Sequence, residues 1–317
     1  MTDVPNSIRI VAQQTGLSPH VIRIWEKRYG AVNPARTATK RRVYVAADIE
    51  RLSLLRQVTH AGHSIGNIAR LSDEQLRKLA GGNGSVLAAV RVPAAQPAAE
   101  QMVFACLAAI QKLDSVALDA LLEAAAVNFG QHGLLQKIVG PLAAALGEQW
   151  RAGTITSAHE HMASWIIRLF LGKNSKPFGV NGNAPTLIVG TPAGQIHEIG
   201  AVMVVAAAAD VGWRATYVGT SLPASEIAGA AIQNNARAVA LSIVFPEDDP
   251  GLPGELQQLH RCLPEGVSLL VGGRAAPAYA ETLRSIGARV CHDLDGLYAH
   301  LDQLRRPAPR RRAEARL

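Results

Sequence analysis

The residues best suited to chemistry in this 317-residue chain are a histidine in a Gly/Pro-rich loop, a serine ending an apolar run, and a glycine pair. His197 lies in "GTPAGQIHEIGAVMV" (Gly190 to Val204), between an apolar run ending at Val189 and a long Ala/Val-rich segment. A lone histidine in such a place is usually a satisfied surface or core residue; its chemical uses are proton transfer and metal ligation. The spacing around it carries more. After Gln195-Ile196-His197-Glu198-Ile199-Gly200, 41 residues intervene before Ser242-Ile243-Val244, and 27 more before Gly272-Gly273. A second set stands upstream: Trp150, nine residues, then Glu160-His161. Cys106, Cys262 and Cys291 lie far apart without C-x-x-C spacing, which suggests neither a disulfide framework nor a thiolate metal site. A zinc site from His159, His161 and His197 is weaker still, because positions two apart on a helix point away from one another.

The elements that must position these residues can be read from periodicity. From Ala184, the runs "TLIVG", "RATYVG", "AVALSIVF" and "VSLLVGG" alternate with helical segments, and a short last strand is expected near "ARVCHD". Alternation of this kind implies a doubly wound parallel sheet, where ligands bind at the carboxyl ends of strands. His197 then falls in the loop after the first strand, Ser242 at the end of the third, and Gly272-Gly273 after the fourth. The loop "GTSLP", with Ser221, follows the second strand and faces the same side. Four amphipathic stretches between Glu100 and about Lys173 suit a four-helix bundle. Trp150 ends its third helix, Glu160-His161 open the fourth, and Thr156 or Ser157 caps the latter.

The N-terminal segment has a different character. Residues 1–80 hold 13 Lys/Arg against 6 Asp/Glu, whereas 81–302 hold 13 against 18, and the tail from Gln303 holds 6 against 1. Basicity confined to a small unit points to a polyanion partner, most simply nucleic acid. "SIRIVAQQTGLSPHVIRIWEKRYG" reads as two short helices broken at Gly16, with Ile22 and Trp25 inward and His20, Arg23, Lys27 and Arg28 outward. A basic loop, a strand through Val43-Tyr44-Val45 and a helix capped by Asp48 follow. Together they make a helix-turn-helix with a basic wing that can lie on phosphates. The expected organisation is a winged-helix unit over 1–80, a flexible Gly/Pro linker over 81–99, a bundle over 100–176, an α/β domain over 183–303 and a basic tail over 304–317. That tail either adds nonspecific DNA affinity or is a solubilising extension.

Three resemblances rest on these motifs. "SPHVIRIWEKRYG" and "RRVYVAADIERL" resemble the MerR family of winged-helix regulators, over about residues 7–78. The resemblance implies a DNA-binding dimer or higher oligomer, with His20, Arg23, Lys27, Arg28, Tyr29, Arg41, Arg42 and Tyr44 on the DNA. The pattern Q-I-H-E-I-G, S-I-V, G-G is similar to the cobalamin-binding D-x-H-x-x-G, S-x-L, G-G of a flavodoxin-like fold. That implies His197 as the lower cobalt ligand, with Gln195, Gly200, Ser221, Ser242, Val244, Gly272 and Gly273 around the displaced nucleotide tail. The W-x9-E-H spacing is similar to that of light-sensing MerR-type repressors of the CarH/LitR group, which hold adenosylcobalamin between bundle and sheet. In that group Trp150 would pack over the adenosyl group, and Glu160 and His161 would frame the pocket.

The departures from these patterns are definite. Val244 replaces Leu. Gln195 stands where the family has an acid that accepts the second N–H of the histidine and raises its basicity. A Gln carbonyl can still accept that bond but supplies no charge; otherwise Glu198 or a backbone group holds the ring. Arg151 stands where some members place a second cobalt-binding histidine, leaving His159, His161 and His132 as substitutes.

The implied function is a non-enzymatic, cobalamin-dependent, light-responsive repressor, a cytoplasmic homo-oligomer (dimer or tetramer) that binds operator DNA in the dark. No run resembles a membrane span or signal peptide, so a soluble protein is expected. A second reading keeps the fold and drops cobalamin, leaving another chromophore or a protein partner. A third, a corrinoid methyl carrier, conflicts with the attached DNA-binding unit.

Overall fold

The computed structural model describes residues 6–17, 19–37, 41–60, 63, 65–80, 98–174 and 184–305. The chain divides into two compact units, Met1–Gly179 and Val180–Leu317.

In the first unit, α1 (Ile8–Thr15) and α2 (Pro19–Tyr29) form the two helices of the turn motif. Gly16 ends α1 in the left-handed region (φ 66°), and its N–H donates to the Ala12 carbonyl at 2.8 Å, closing the last turn. The wing is a short antiparallel hairpin, β1 (Ala35–Arg36) and β2 (Arg42–Val43), with Ala35 opposite Val43. The strand thus begins one residue earlier than the Val43–Val45 run predicted. Tyr44 instead forms an isolated bridge with Asn6, and its ring enters the core. Helices α3 (Ala46–His60), α4 (Ile65–Ile68) and α5 (Asp73–Ala80) complete the unit. Asp48, in the first turn of α3, accepts from the Val45 N–H at 3.0 Å, so its capping works from inside the helix. Val11, Ile22, Trp25, Leu52 and Leu55 fill the core; fully burying each such side chain is worth about 1.5–3 kcal/mol.

Residues 81–97 of the expected linker lie outside the described residues, and α6 (Ala98–Gln111) takes up the chain. The bundle continues with α7 (Ser115–Gly133), α8 (Gly140–Arg151) and α9 (Ser157–Asn174). Asp114 caps α7 by accepting from the Ala117 N–H at 2.9 Å. The break predicted between the second and third helices is a kink, because Gly130 adopts φ 67°, ψ 177° and the chain runs on through a π-helical turn, Leu134–Val139, into α8. Helices α2, α3 and α4 rest against α7, and Val127 joins the winged-helix core.

The second unit is a five-stranded parallel sheet. Its strands are β3 (Thr186–Pro192), β4 (Arg214–Leu222), β5 (Ala238–Ser242), β6 (Ser268–Gly272) and β7 (Arg289–Cys291). Their order is β4-β3-β5-β6-β7, which is the flavodoxin-like arrangement 2-1-3-4-5. β3 and β5 are buried along their whole length, as central parallel strands covered on both faces must be. Helices α10 (Ile199–Asp210) and α14 (Leu294–Arg305) pack together on one side. The other helices are α11 (Ala224–Gln233), α12 (Leu252–Cys262) and α13 (Ala280–Ser285), which join one core with β3, β5 and β6. Residues 304 and 305 of the expected basic tail belong to α14, and the rest of it lies outside the described residues.

Candidate functional site

In a 2-1-3-4-5 sheet the connections from the first and third strands leave in opposite directions and open a crevice at their carboxyl ends. Here those strands are β3 and β5, and the sequence-predicted residues lie at their ends. Ser242 is the last residue of β5 and is 3% exposed, yet its Oγ has no hydrogen-bond partner among the described residues. Gly200, in the first turn of α10, faces it: a Cβ built there would stand 2.5 Å from Ser242 Oγ. A buried hydroxyl with no partner is costly, and a bound water, ion or ligand is what commonly satisfies one. Gly272 and Gly273 end β6. A Cβ on Gly272 would stand 3.2 Å from the Cys291 carbonyl, and one on Gly273 (φ 100°) would overlap Ile243 at 2.2 Å from its carbonyl oxygen. Only glycine permits this path. Ser242, Gly200, Gly272 and Gly273 are thus brought together at the carboxyl ends of β5 and β6, and a hydroxyl with no partner among the described residues beside close backbone fits the polar tail of a nucleotide.

His197 is exposed in the loop between β3 and α10. Its ring meets Phe245 edge-to-face, with centroids 5.9 Å apart and planes at 66°. Gln195, two residues earlier, is fully buried. Its Oε1 accepts from the Val244 N–H at 2.9 Å and the Phe245 N–H at 3.0 Å, while Nε2 donates to the Pro246 carbonyl at 3.1 Å. The two amides occupy both acceptor directions of Oε1. The expectation that the Gln carbonyl accepts from His197 is thereby corrected. Glu198, the alternative holder of the ring, accepts from the Tyr217 hydroxyl at 2.5 Å. Ser221 is exposed; its N–H donates to Gln195 O at 3.1 Å and to Thr191 Oγ1 at 2.8 Å, and its Oγ accepts from the Gly194 N–H. Thr191 Oγ1 in turn donates to Gln195 O. Sequence reasoning missed Thr191, Phe245 and Pro246, which carry no motif; their role comes from hydrogen bonding across loops far apart in the chain.

In the bundle, Trp150 ends α8 with 49% of its surface exposed, and its indole N–H donates to Ser157 Oγ at 3.3 Å. Glu160 accepts from Ser164 Oγ at 2.5 Å and from His161 Nδ1 at 2.7 Å. The same stretch thus holds an exposed indole and an exposed imidazole that shares the Glu160 carboxylate. Thr156 precedes α9, and its N–H donates to His159 Nδ1 at 3.2 Å, so this histidine serves the helix end. His132 is buried with Nε2 2.8 Å from Gln136 Oε1.

On the winged-helix surface, Arg23, Lys27, Arg28 and Arg41 are exposed; the side chain of His20 lies outside the described residues. Arg42 donates to Glu26 at 2.6 Å and Tyr29 donates to Asn128 of α7 at 2.8 Å, so both are already engaged. Tyr44 corrects the sequence reading. It is fully buried, its hydroxyl has no partner among the described residues, and burial pushes its pKa up to about 12. A side chain without accessible surface is a core residue rather than a DNA contact.

Comparison with known proteins follows the same division. Residues 7–75 match the MerR helix-turn-helix family of regulatory proteins, and residues 104–172 and 185–294 match two models of the B12 binding domain. The chain is 27% identical to the HTH-type transcriptional repressor CarH of Myxococcus xanthus, over 89% of this chain and 93% of that protein. It is 26% identical to CarA of the same organism, over 94% and 96%. Among solved structures, the Methanosarcina barkeri monomethylamine corrinoid protein aligns with a TM-score of 0.48 at 18% identity, over 65% of this chain and 100% of that one. No described helix is long and apolar enough to cross a membrane. The chain thus carries a MerR helix-turn-helix unit and B12 binding domains, and it is similar over most of its length to the CarH and CarA repressors.

Proposed function

We propose that this chain is a repressor that senses light through adenosylcobalamin and couples it to oligomer state and operator binding. The observation that carries the reading is the buried Ser242 hydroxyl, without a partner among the described residues and close against Gly200 at the carboxyl end of β5. An apolar residue there would be cheaper for folding alone. His197, exposed in the adjoining loop, is the lower cobalt ligand; Gly200, Ser221, Ser242, Val244, Gly272 and Gly273 hold the nucleotide tail. When bound, adenosylcobalamin supplies a cobalt–carbon bond that light cleaves. Trp150, half-exposed at the end of α8, would shield the bound group from water, with Glu160 and His161 beside the indole in the chain. The bundle is the two-state element, and its placement sets whether copies associate into dimers or tetramers and engage DNA through Arg23, Lys27, Arg28 and Arg41. His20 belongs to the same helix.

The test is purified chain mixed with adenosylcobalamin in the dark, passed over a sizing column and then illuminated. The expected result is cofactor co-eluting with an oligomer that retards DNA, and a spectral change with loss of both on illumination. A chain that releases the cofactor on the column, or a spectrum unaltered by light, overturns the reading. The engagement of the Gln195 side chain with the 244–246 segment, where the cobalamin pattern has an acid that bonds the histidine, favours one second reading: the same DNA-binding regulator with a pocket for a different ligand. Co-elution of cobalamin decides between them.

A further inference from the structure

We propose that Phe245 is the positioning residue for the His197 ring, and that Gln195 acts on the histidine through Phe245 rather than by a direct bond. The inference rests on the reading of His197 as a cobalt ligand. Gln195 is fully buried, and its side chain makes three bonds to a single segment: Oε1 to the amides of Val244 and Phe245, Nε2 to the carbonyl of Pro246. Its own carbonyl accepts from Ser221 N–H and Thr191 Oγ1. One residue therefore ties together the end of β3, the end of β4 and the segment after β5. Ser221 lies within β4, not in the loop predicted after that strand. The loop carrying His197 and the segment carrying Phe245 are fixed as one piece.

Burial does not explain where Phe245 sits, since 48% of its surface is exposed. Its ring nevertheless meets the imidazole at 5.9 Å and 66°, within the range where an aromatic edge and face attract. An aromatic wall restrains the tilt of an imidazole without charging it. A carboxylate in the place of Gln195 would both orient the ring and raise its basicity. In this chain the neutral Gln195 side chain is engaged with the 244–246 segment, and its effect on the ring runs through Phe245.

The experiment compares wild type, Phe245→Ala, Phe245→Tyr and Gln195→Ala, each loaded with cobalamin reduced to its Co(II) form. The nitrogen hyperfine splitting in the electron paramagnetic resonance spectrum reports imidazole ligation directly. Phe245→Ala is expected to shift the ratio of imidazole-ligated to unligated cobalt by about 10-fold, the low end of the cost of losing a group that orients a metal ligand. Phe245→Tyr is expected to restore it, and Gln195→Ala to match Phe245→Ala. In the cofactor-free protein the His197 ring protons are expected to lose their ring-current shift in Phe245→Ala. An unchanged hyperfine pattern in Phe245→Ala overturns the proposal, as do unchanged ring-proton resonances. If the wild type retains no cobalamin, the proposed function fails, and the resonances of the cofactor-free protein still decide the positioning role.

Discussion

The indole N–H of Trp25, in the second helix of the winged-helix unit, donates to the main-chain carbonyl of Val127 in the bundle at 2.9 Å. The two residues are 102 positions apart. The bond is available because α7 is broken three residues later: Gly130 leaves the helical region, and the carbonyls of the turn before it lose the partners a continuous helix would give them. One turn on, Tyr29 donates to Asn128 at 2.8 Å. A helix break in the bundle thus becomes a docking site for the helix that carries Arg23 and Lys27.

Gly130→Ala tests that dependence. The backbone at φ 67°, ψ 177° belongs to glycine, while a Cβ would meet only Thr59 Oγ1 at an ordinary 3.7 Å. The cost is conformational rather than steric, roughly 1–3 kcal/mol. The expected outcome is an unfolding free energy, read from urea titration, lowered by that amount, with faster hydrogen exchange at the Trp25 indole. An indole that stays as protected as in wild type would show that the docking does not need the break.

Asn128→Ala probes the same contact without straining the chain. The Tyr29 hydroxyl is partly exposed and can turn to water, so the expected loss is small, about 0.5–1.5 kcal/mol. Exchange should quicken at the α2 and α7 amides together, since this contact joins the two helices. Quickening confined to α7 would refute the coupling.

Tyr44→Phe separates core from interface. The hydroxyl is buried without a partner among the described residues, so its removal is expected to stabilise the winged-helix unit by up to ~1–3 kcal/mol, the usual cost of such a group. Burial raises the phenol from its ordinary value of 10.0 to about 12. The folded state therefore holds a proton that the unfolded chain releases, and stability falls as pH rises from 10 toward 12. Tyr44→Phe is expected to abolish that alkaline loss and to leave DNA affinity unchanged. Weakened DNA binding by this variant would place the hydroxyl on the DNA after all.

How far the sequence could be read follows from which forces are local. The sheet and its switch point were legible in "TLIVG" and "AVALSIVF", because a strand buried on both faces needs an unbroken apolar run. Gly200 and Ser242 were legible as a spaced pair, since both are demanded by one close approach. The kink at Gly130 was not: a glycine between helical patterns signals a loop as readily as a break inside a helix. Tyr44 was misassigned because a tyrosine beside two arginines has the composition of a DNA contact, and its burial depends on Asn6 and on helices elsewhere in the chain. The engagement of Gln195 with residues 49 to 51 positions away lies beyond any local pattern.

Ser242→Ala and Gly200→Ala form a cycle that separates folding from ligand binding. Ser242→Ala removes a buried orphan hydroxyl, so stability is expected to hold or to rise by up to ~1–3 kcal/mol while cobalamin retention falls. Gly200→Ala pushes a methyl group to within 2.5 Å of Ser242 Oγ and should be destabilising. Removing the hydroxyl as well relieves that overlap, so the double variant is expected to be more stable than Gly200→Ala by more than Ser242→Ala gains alone. Thermal melts of the cofactor-free chains read the cycle. Additive effects would mean that the two side chains do not meet.

Gln195→Glu is the variant that sequence reasoning would choose to strengthen the axial histidine, and the structure reverses the expectation. The added oxygen takes the place of Nε2, which lies 3.1 Å from the Pro246 carbonyl and donates to it. At neutral pH a carboxylate oxygen would face that carbonyl inside a fully buried site, losing a hydrogen bond and setting two acceptors against each other. The other oxygen would remain with the Val244 and Phe245 amides, so neither oxygen is free to accept a hydrogen bond from His197. The expected outcome is stability lowered by about 1–3 kcal/mol in urea titration, with no gain in cobalamin retention. A variant that folds as well as wild type and holds cobalamin more tightly would mean that the 195 side chain can leave the 244–246 segment for the imidazole, and that the segment does not need it.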